Sequence, residues 1–566
     1  MNNQQRINMK FQAFPQSALS LALLAMAGTL LAQGVPPGSG QVLRDLQQTA
    51  PQALPVAPAL RRIEETEAAN PAATTKVQVK TIAITGNQEL STAELRPLVA
   101  DLEGSEQPLA ALHAAARRIT RYYREHGFAV ARAFLPAQDV TDGRISITAV
   151  EGRISSHKVN NQSLLSDARV NAFLDGVKDG DVVRSAGIDR GLLLLQDTPG
   201  VGASRATLLP GASPGTSELL VDVQPSAPYS GYLSLDNHGS RYTGEYRASG
   251  AFTLASPLKL GDQLGFSGLT SGDGLSFGRI SYQLPVGSSG LRAGMAYFDV
   301  RYRLGREFAP LLAQGWASST AVYASWPFIR SQFSNLNGTL SYEDKKTVDK
   351  VNSTATLTGK HLQTSSLGLS GNLQDGLGGG GFNSVDLSLV TGRLSIESAA
   401  ALALDAASAR SNGSYDKFTW GASRLQRVGD DTLLWLALAG QQASKNLDSS
   451  EKFSLGGPGS VRGWPTGEAS GDEGWRATLE LRHNIATSVQ GVLFYDFGSV
   501  TINKTLFANV TNDRHLAGAG FGVNTSWDTV QLKTSLAWRT SGGAPVSIPA
   551  SAQRSPTLSM QAAMPF

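Results

Sequence analysis

Arg462 and Trp464 stand among seven glycines in GGPGSVRGWPTGEASGDEG, residues 456–474. A guanidinium bonds a carboxylate in bidentate fashion, and glycines let a backbone pack closely and take positive φ. The chemistry on offer is therefore the pinning of a loop tip. Other stretches carry only an outline of catalysis. GASPG (211–215) satisfies the Gly-x-Ser-x-Gly pattern of a nucleophile elbow, but that elbow needs a strand, the serine and then a helix. Ser213 precedes Pro214 and a strand pattern, SELLVDV, so a hairpin turn is expected there. GLGGGG (376–381) lacks the Lys-Ser/Thr that completes a phosphate loop. The seven histidines form no HExxH and have no cysteine partners, so the spacing points to no metal site. No residue is assigned a catalytic role, and no cofactor is implied.

The elements that hold such a loop tip are read from the whole chain. Its 566 residues carry 49 Lys+Arg against 46 Asp+Glu and no cysteine. Neither a nucleic-acid partner nor a disulfide framework follows from that balance. Arg6 and Lys10 precede the apolar run ALSLALLAMAGTLLA (18–32), the pattern of an export signal cleaved after Ala32, with Ala27 as the alternative. An exported, cysteine-free chain with 60 glycines is either a soluble periplasmic or secreted protein or a transmembrane β-barrel, whose strands hide hydrophobicity by alternating it. Periodicity decides. In the closing SPTLSMQAAMPF, Leu558, Met560, Ala562, Met564 and Phe566 fall on one face, and Ser559, Gln561, Ala563 and Pro565 on the other. Upstream, Tyr246, Ala248, Phe252 and Leu254 alternate with Arg247, Ser249 and Thr253, and Ile280, Tyr282 and Leu284 with Arg279, Ser281 and Gln283. In lipid only a closed barrel pairs every backbone group. At ~9–11 residues per strand, and about as many per connection, residues 227–566 hold roughly sixteen antiparallel strands.

The first part reads differently. GQVLRDLQQTA (40–50) puts Val42, Leu43 and Leu46 on one helical face, ahead of a Pro/Ala-rich and then charged stretch; a helix this short is marginal alone, so a disordered tail stays open as the alternative. From Val77 the order is strand, helix, helix, strand, strand. VQVKTIAITGN alternates as one strand, and STAELRPLVADL opens with a Ser N-cap and Glu three residues on. In PLAALHAAARRITRYYREHG, Leu109, Leu112, Ala116, Ile119 and Tyr123 form an apolar stripe closed by Gly127. AVARAFLPAQ and GRISITAVEG complete a three-stranded sheet, and the same order repeats from GRISSHKVNNQSLL to SELLVDVQP. The expected organisation is a signal peptide (1–32), a helix (33–50), a linker (51–75), two α+β units (76–152 and 153–226) and a barrel (227–566).

Two such units before a barrel resemble the polypeptide-transport-associated (POTRA) domains of outer-membrane translocators. The details resemble the two-partner secretion transporters that export haemolysins and filamentous adhesins. YYREHGFAVARAFLPAQDVTDGRISITAVEG (122–152) is similar to their first domain, LLLLQDTPGVGASRATLLPGASPGTSELLVDV (192–223) to the second, and LDNHGSRYTGEYR (235–247) to the first barrel strands. VRGW (461–464) matches that superfamily's Val-Arg-Gly-aromatic motif at the tip of a hairpin folded into the lumen. FYDFG (494–498) matches its Phe-x-Asp-x-Gly motif on a following strand. The resemblance implies a latch between Arg462 and Asp496, set among Val461, Gly463, Trp464, Phe494 and Gly498. Spacing alone leaves equally open an external loop for Arg462 and a merely pore-lining Asp496. The family usually ends the first motif in Tyr or Phe; Trp464 departs from that, leaving open whether its ring only packs or also hydrogen-bonds.

The resemblance further implies an outer-membrane location with the POTRA units in the periplasm. The partners it implies are one large secreted protein (adhesin, cytolysin or toxin), outer-membrane lipid and, during biogenesis, the barrel-assembly machinery. The helix around Val42, Leu43 and Leu46 would plug the lumen. The rival within the superfamily is a barrel-assembly insertase, expected to carry more repeats and no helical plug.

Overall fold

The structure is a computed structural model that describes residues 36–49, 76–128, 130–213, 215–272 and 274–566. The expected signal peptide and linker lie outside the described residues. From Tyr229 onward, period-two alternation produces sixteen antiparallel strands that close on themselves, Thr557–Pro565 pairing with Tyr229–Asp236. Even-numbered side chains of the last strand, among them Leu558, Met560 and Met564, are exposed on the outside, and so is the terminal Phe566. On the inside of the seam, Gln561 Nε2 donates to the Ser234 hydroxyl at 3.3 Å. The same parity turns Arg247 inward against Asp236. Connections are short at one barrel end, such as residues 331–333, and long at the other, such as residues 444–472.

Two small α/β units precede the barrel. In the first, Thr81–Thr85, Arg144–Val150 and Arg132–Phe134 form a three-stranded sheet under the helix Leu109–Glu125, whose Leu112, Ala116, Ile119 and Tyr123 are buried. Ser91 and Glu94 make the capping box of the preceding helix. The single strand expected for VQVKTIAITGN is instead two. Lys76–Val79 pairs with Ser105–Pro108, the chain turns where the Lys80 and Thr81 amides both donate to the Gly143 carbonyl, and Thr81–Thr85 then joins the main sheet in parallel with Arg144–Val150. A long-range carbonyl ends the first strand, which no local pattern signals. The second unit repeats the order with Arg153–Asn161, Thr216–Pro225 and Val201–Pro210 as its sheet. Ser213 lies in the turn between the last two of these, where the Thr216 amide donates to its carbonyl.

The second unit is docked on the short-turn end of the barrel. Arg330 clamps Asp197 with bonds of 2.6 and 2.8 Å. Arg190 donates to the Pro327 carbonyl at 2.7 Å, and Arg169 to those of Pro285 and Gly287 at 3.1 and 2.8 Å.

Candidate functional site in the barrel lumen

The long connection 444–472 does not project outward. It folds back as a hairpin, Phe453–Leu455 paired with Ala469–Gly471, and its glycine-rich tip packs on the wall formed by residues 473–541. There Arg462 Nε and Nη2 donate to the two Asp496 oxygens at 2.6 and 2.8 Å. The Arg462 amide adds a third bond to Asp496 at 3.1 Å. Nη1 reaches Glu480 at 2.8 Å, and the guanidinium lies 3.5 Å from the centroid of the Phe494 ring, within cation–π reach. Asp496 is 0 % exposed. Exclusion of water strengthens the attraction within this pair beyond that of an exposed salt bridge, with the desolvation of both charges opposing it.

Close approach explains the glycines. Gly463 sits at φ 89°. On the wall, a Cβ at Gly518 would lie 2.0 Å from the Arg462 carbonyl oxygen, and one at Gly498 would lie 2.6 Å from Leu455. Val461 and Trp464 bury in a small core with Leu455, Ala469, Val500 and Leu516. The Trp464 ring both packs and hydrogen-bonds, its Nε1 donating to the Ala517 carbonyl at 2.9 Å.

Sequence reasoning missed the charges that hold the two limbs of the hairpin. On the ascending limb, Glu451 bridges Lys345 at 3.1 Å and Lys417 at 2.7 Å, and Asp448 takes Lys360 at 2.6 Å. On the descending limb, Asp472 pairs with Lys452 at 2.7 Å. Glu468 contacts Arg514 and accepts from the Val546 and Ser547 amides at 2.8 and 3.3 Å. Glu480 also went unnoticed; its second oxygen meets Arg482 at 2.6 Å. One signal was present, since acids at 448, 451, 468 and 472 flank the glycine-rich tip on both sides.

The helix Ser39–Thr49 lies inside the barrel near the long-loop end. Val42 and Leu43 are buried, with Leu46 beside them, against Tyr242, Leu275, Val300, Tyr302 and Phe308. Its first turn is tied to the wall: the Ser39 amide and hydroxyl donate to Asp349 at 2.7 and 3.0 Å. Its underside rests on the hairpin, where Arg44 Nη1 donates to the Ser449 carbonyl at 3.1 Å. A Cβ at Gly40 would lie 2.4 Å from the Ser449 hydroxyl, so contact there is tight. Among the described residues no group of acids and histidines is placed to hold a metal. Helix and hairpin thus both lie within the cylinder and touch each other there.

Comparison with known proteins agrees with this architecture. Residues 215–525 match the model of the haemolysin secretion/activation protein ShlB/FhaC/HecB family, and residues 77–152 match the ShlB-type POTRA domain. The chain is similar to the heme/hemopexin transporter protein HuxB of Haemophilus influenzae, 27% identical over 452 residues that cover 78% of this chain and 79% of that one. It is similar to the outer membrane transporter CdiB of Dickeya dadantii, 26% identical over 377 residues covering 64% of each. The solved structure of CdiB from Escherichia coli shares the fold with a TM-score of 0.71 at 20% identity, over 97% of this chain and 98% of that one. With a family model matching more than half its length, the chain belongs to the haemolysin secretion/activation family, the outer-membrane transporters of two-partner secretion, which conduct a large partner protein and hold their POTRA units in the periplasm.

Proposed function

We propose that this chain captures one large exported polypeptide in the periplasm through its two α/β units and threads it, unfolded, through the barrel to the cell surface. The observation that carries this reading is a sealed cylinder obstructed by two elements, each held by polar contacts that can be exchanged for water. Arg462, Asp496, Phe494 and Trp464 act as a latch on the hairpin, and Val42, Leu43 and Leu46 seat the helix as a plug. The residues between Thr49 and Lys76, at ~3.5 Å each, reach roughly 90 Å, enough for the helix to withdraw without tearing the POTRA units from the barrel.

Capture by strand addition suits the exposed sheet edges of the two units. No nucleotide motif is present, and folding of the cargo outside makes its return unfavourable by mass action. Outer-membrane lipid around the barrel and the barrel-assembly machinery during biogenesis are further partners in this reading; the cargo is an adhesin, a cytolysin or a toxin. The insertase reading is weaker, because the described residues carry two such units and a helix within the barrel. The test is to delete the gene and compare the culture medium: loss of one very large protein, restored by the wild-type chain, is expected, and an unchanged medium with altered outer-membrane barrels would favour the insertase.

A further inference from the structure

We propose that the outer rim of the barrel carries a binding site for a phosphate-bearing glycolipid of the outer leaflet, built from Arg301, Arg303, Lys346 and Lys350 around Trp316. The membrane level of this patch follows from the strand Ala313–Arg330. Its outward face carries exposed Trp326 and Phe328 near the POTRA-bearing end and exposed Trp316 toward the other. Ten residues separate the two tryptophans, ~33 Å along a strand and, at a tilt of ~40°, ~25 Å along the membrane normal. That is the height of the apolar band between aromatic girdles. Trp316 therefore marks the outer girdle.

The register places the cations around it. Trp316 is directly opposite Arg301 on one side and Val348 on the other. One row further out, Gln314 lies between Arg303 and Lys350. One row inward, Lys346 faces Ser318. All four are on the odd or even positions that turn away from the lumen, and all four are exposed. Arg301 touches Asp299 at 3.1 Å while its side chain stays 75 % exposed. Among the described residues, Arg303, Lys346 and Lys350 make no salt bridge or hydrogen bond through their side chains.

A membrane surface with nothing to bind would not explain the asymmetry. Across three strands of the opposite arc, the outward row Trp475, Ser499 and His515 carries no lysine or arginine. Long cationic side chains at a girdle keep their stems on the apolar wall and raise their heads to the headgroup level, where each contributes to holding an anionic lipid. Arg303 and Lys350 are two strands apart, ~10 Å, so the patch is wide enough to span two anionic groups of one headgroup.

The test uses the full chain purified in neutral detergent, wild type and the fourfold variant Arg301→Gln/Arg303→Gln/Lys346→Gln/Lys350→Gln. Native mass spectrometry measures binding of a bisphosphorylated outer-leaflet glycolipid, the same glycolipid dephosphorylated, and inorganic phosphate as competitor. Retained heat-modifiable migration of the variant shows the barrel intact, and a variant with Arg393→Gln controls for loss of any outward cation. The expected result is stoichiometric binding of the phosphorylated lipid, weakened at least ~10-fold in the fourfold variant and by raised salt, unchanged in the control. Equal binding of the dephosphorylated lipid, retained binding by the fourfold variant, or displacement by millimolar phosphate would each overturn the assignment.

Discussion

Replacing Arg462 by alanine removes three side-chain hydrogen bonds to Asp496 and Glu480 and the cation over Phe494. The two carboxylates do not lose equally. Glu480 keeps Arg482 at 2.6 Å, whereas Asp496, fully buried, keeps among the described residues the residue 462 amide as its one hydrogen-bond donor, with Arg476 as the remaining nearby cation. Stranding one member of a buried pair costs ~3–5 kcal/mol. That cost is relieved when the hairpin tip leaves the wall and water reaches Asp496, so the displaced state gains the same amount, ~100- to 4000-fold in population at 1.4 kcal/mol per decade. The chain has no cysteine, so Ser460→Cys at the buried tip supplies a unique reporter. Maleimide labelling of that thiol in outer-membrane vesicles should be slow with Arg462 present and at least ~100-fold faster in Arg462→Ala. Asp496→Ala should accelerate it less, because Glu480 still holds the guanidinium. Arg462→Ala with Asp496→Ala should be slower than Arg462→Ala alone, since the orphan charge is gone. Partner secretion should fall in both single variants while the barrel still forms. Equal labelling rates in wild type and Arg462→Ala, with intact barrels, would refute the latch.

Three further outcomes follow from the same contacts. Deleting residues 33–60, or Asp349→Ala, which removes the wall anchor of Ser39, should raise single-channel conductance in planar bilayers; unchanged conductance would remove the plug. Gly518→Val should expel the hairpin without touching a charge, because a Cβ there lies 2.0 Å from the Arg462 carbonyl oxygen, and fast labelling at residue 460 measures it. Glu151→Ala should destabilise the first α/β unit by ~2–4 kcal/mol, leaving the Gln88 and Glu89 amides and the Tyr123 hydroxyl without their shared acceptor; pulse proteolysis of that unit in urea checks it.

The barrel was legible because its signal is local. Alternation in residues such as 558–566 and 279–284 reports lipid on one side and water on the other without any knowledge of the neighbours. The same locality gave the Ser91 to Glu94 cap and the stripe of the helix at 109–125. Arg462 and Asp496 were legible only through motif order, being 34 residues apart on different elements. Glu451 meets Lys345 across 106 residues, and Asp349 meets Ser39 across 310. No window of sequence contains such pairs, and a lone inward lysine reads as one more solvated pore charge. The break at Lys80 was hidden for the same reason, since a carbonyl at Gly143 causes it.

On the proposed reading, the order of opening follows from which contacts rest on which. The helix Ser39–Thr49 touches the hairpin at Ser449, but the hairpin holds the wall through groups that do not involve the helix: Glu451 on Lys345 and Lys417, Asp448 on Lys360, Glu468 on Arg514, and Arg462 on Asp496. Removing the helix therefore leaves every one of those anchors in place, whereas moving the hairpin base takes away the seat of Arg44 and Gly40. Withdrawal of the helix can precede movement of the hairpin, and the reverse order breaks both sets of contacts at once. The chain lacking residues 33–60 should accordingly conduct ions while its Ser460→Cys thiol labels as slowly as in the full-length protein; fast labelling in that deletion would mean that the helix, and not the buried arginine, holds the hairpin against the wall.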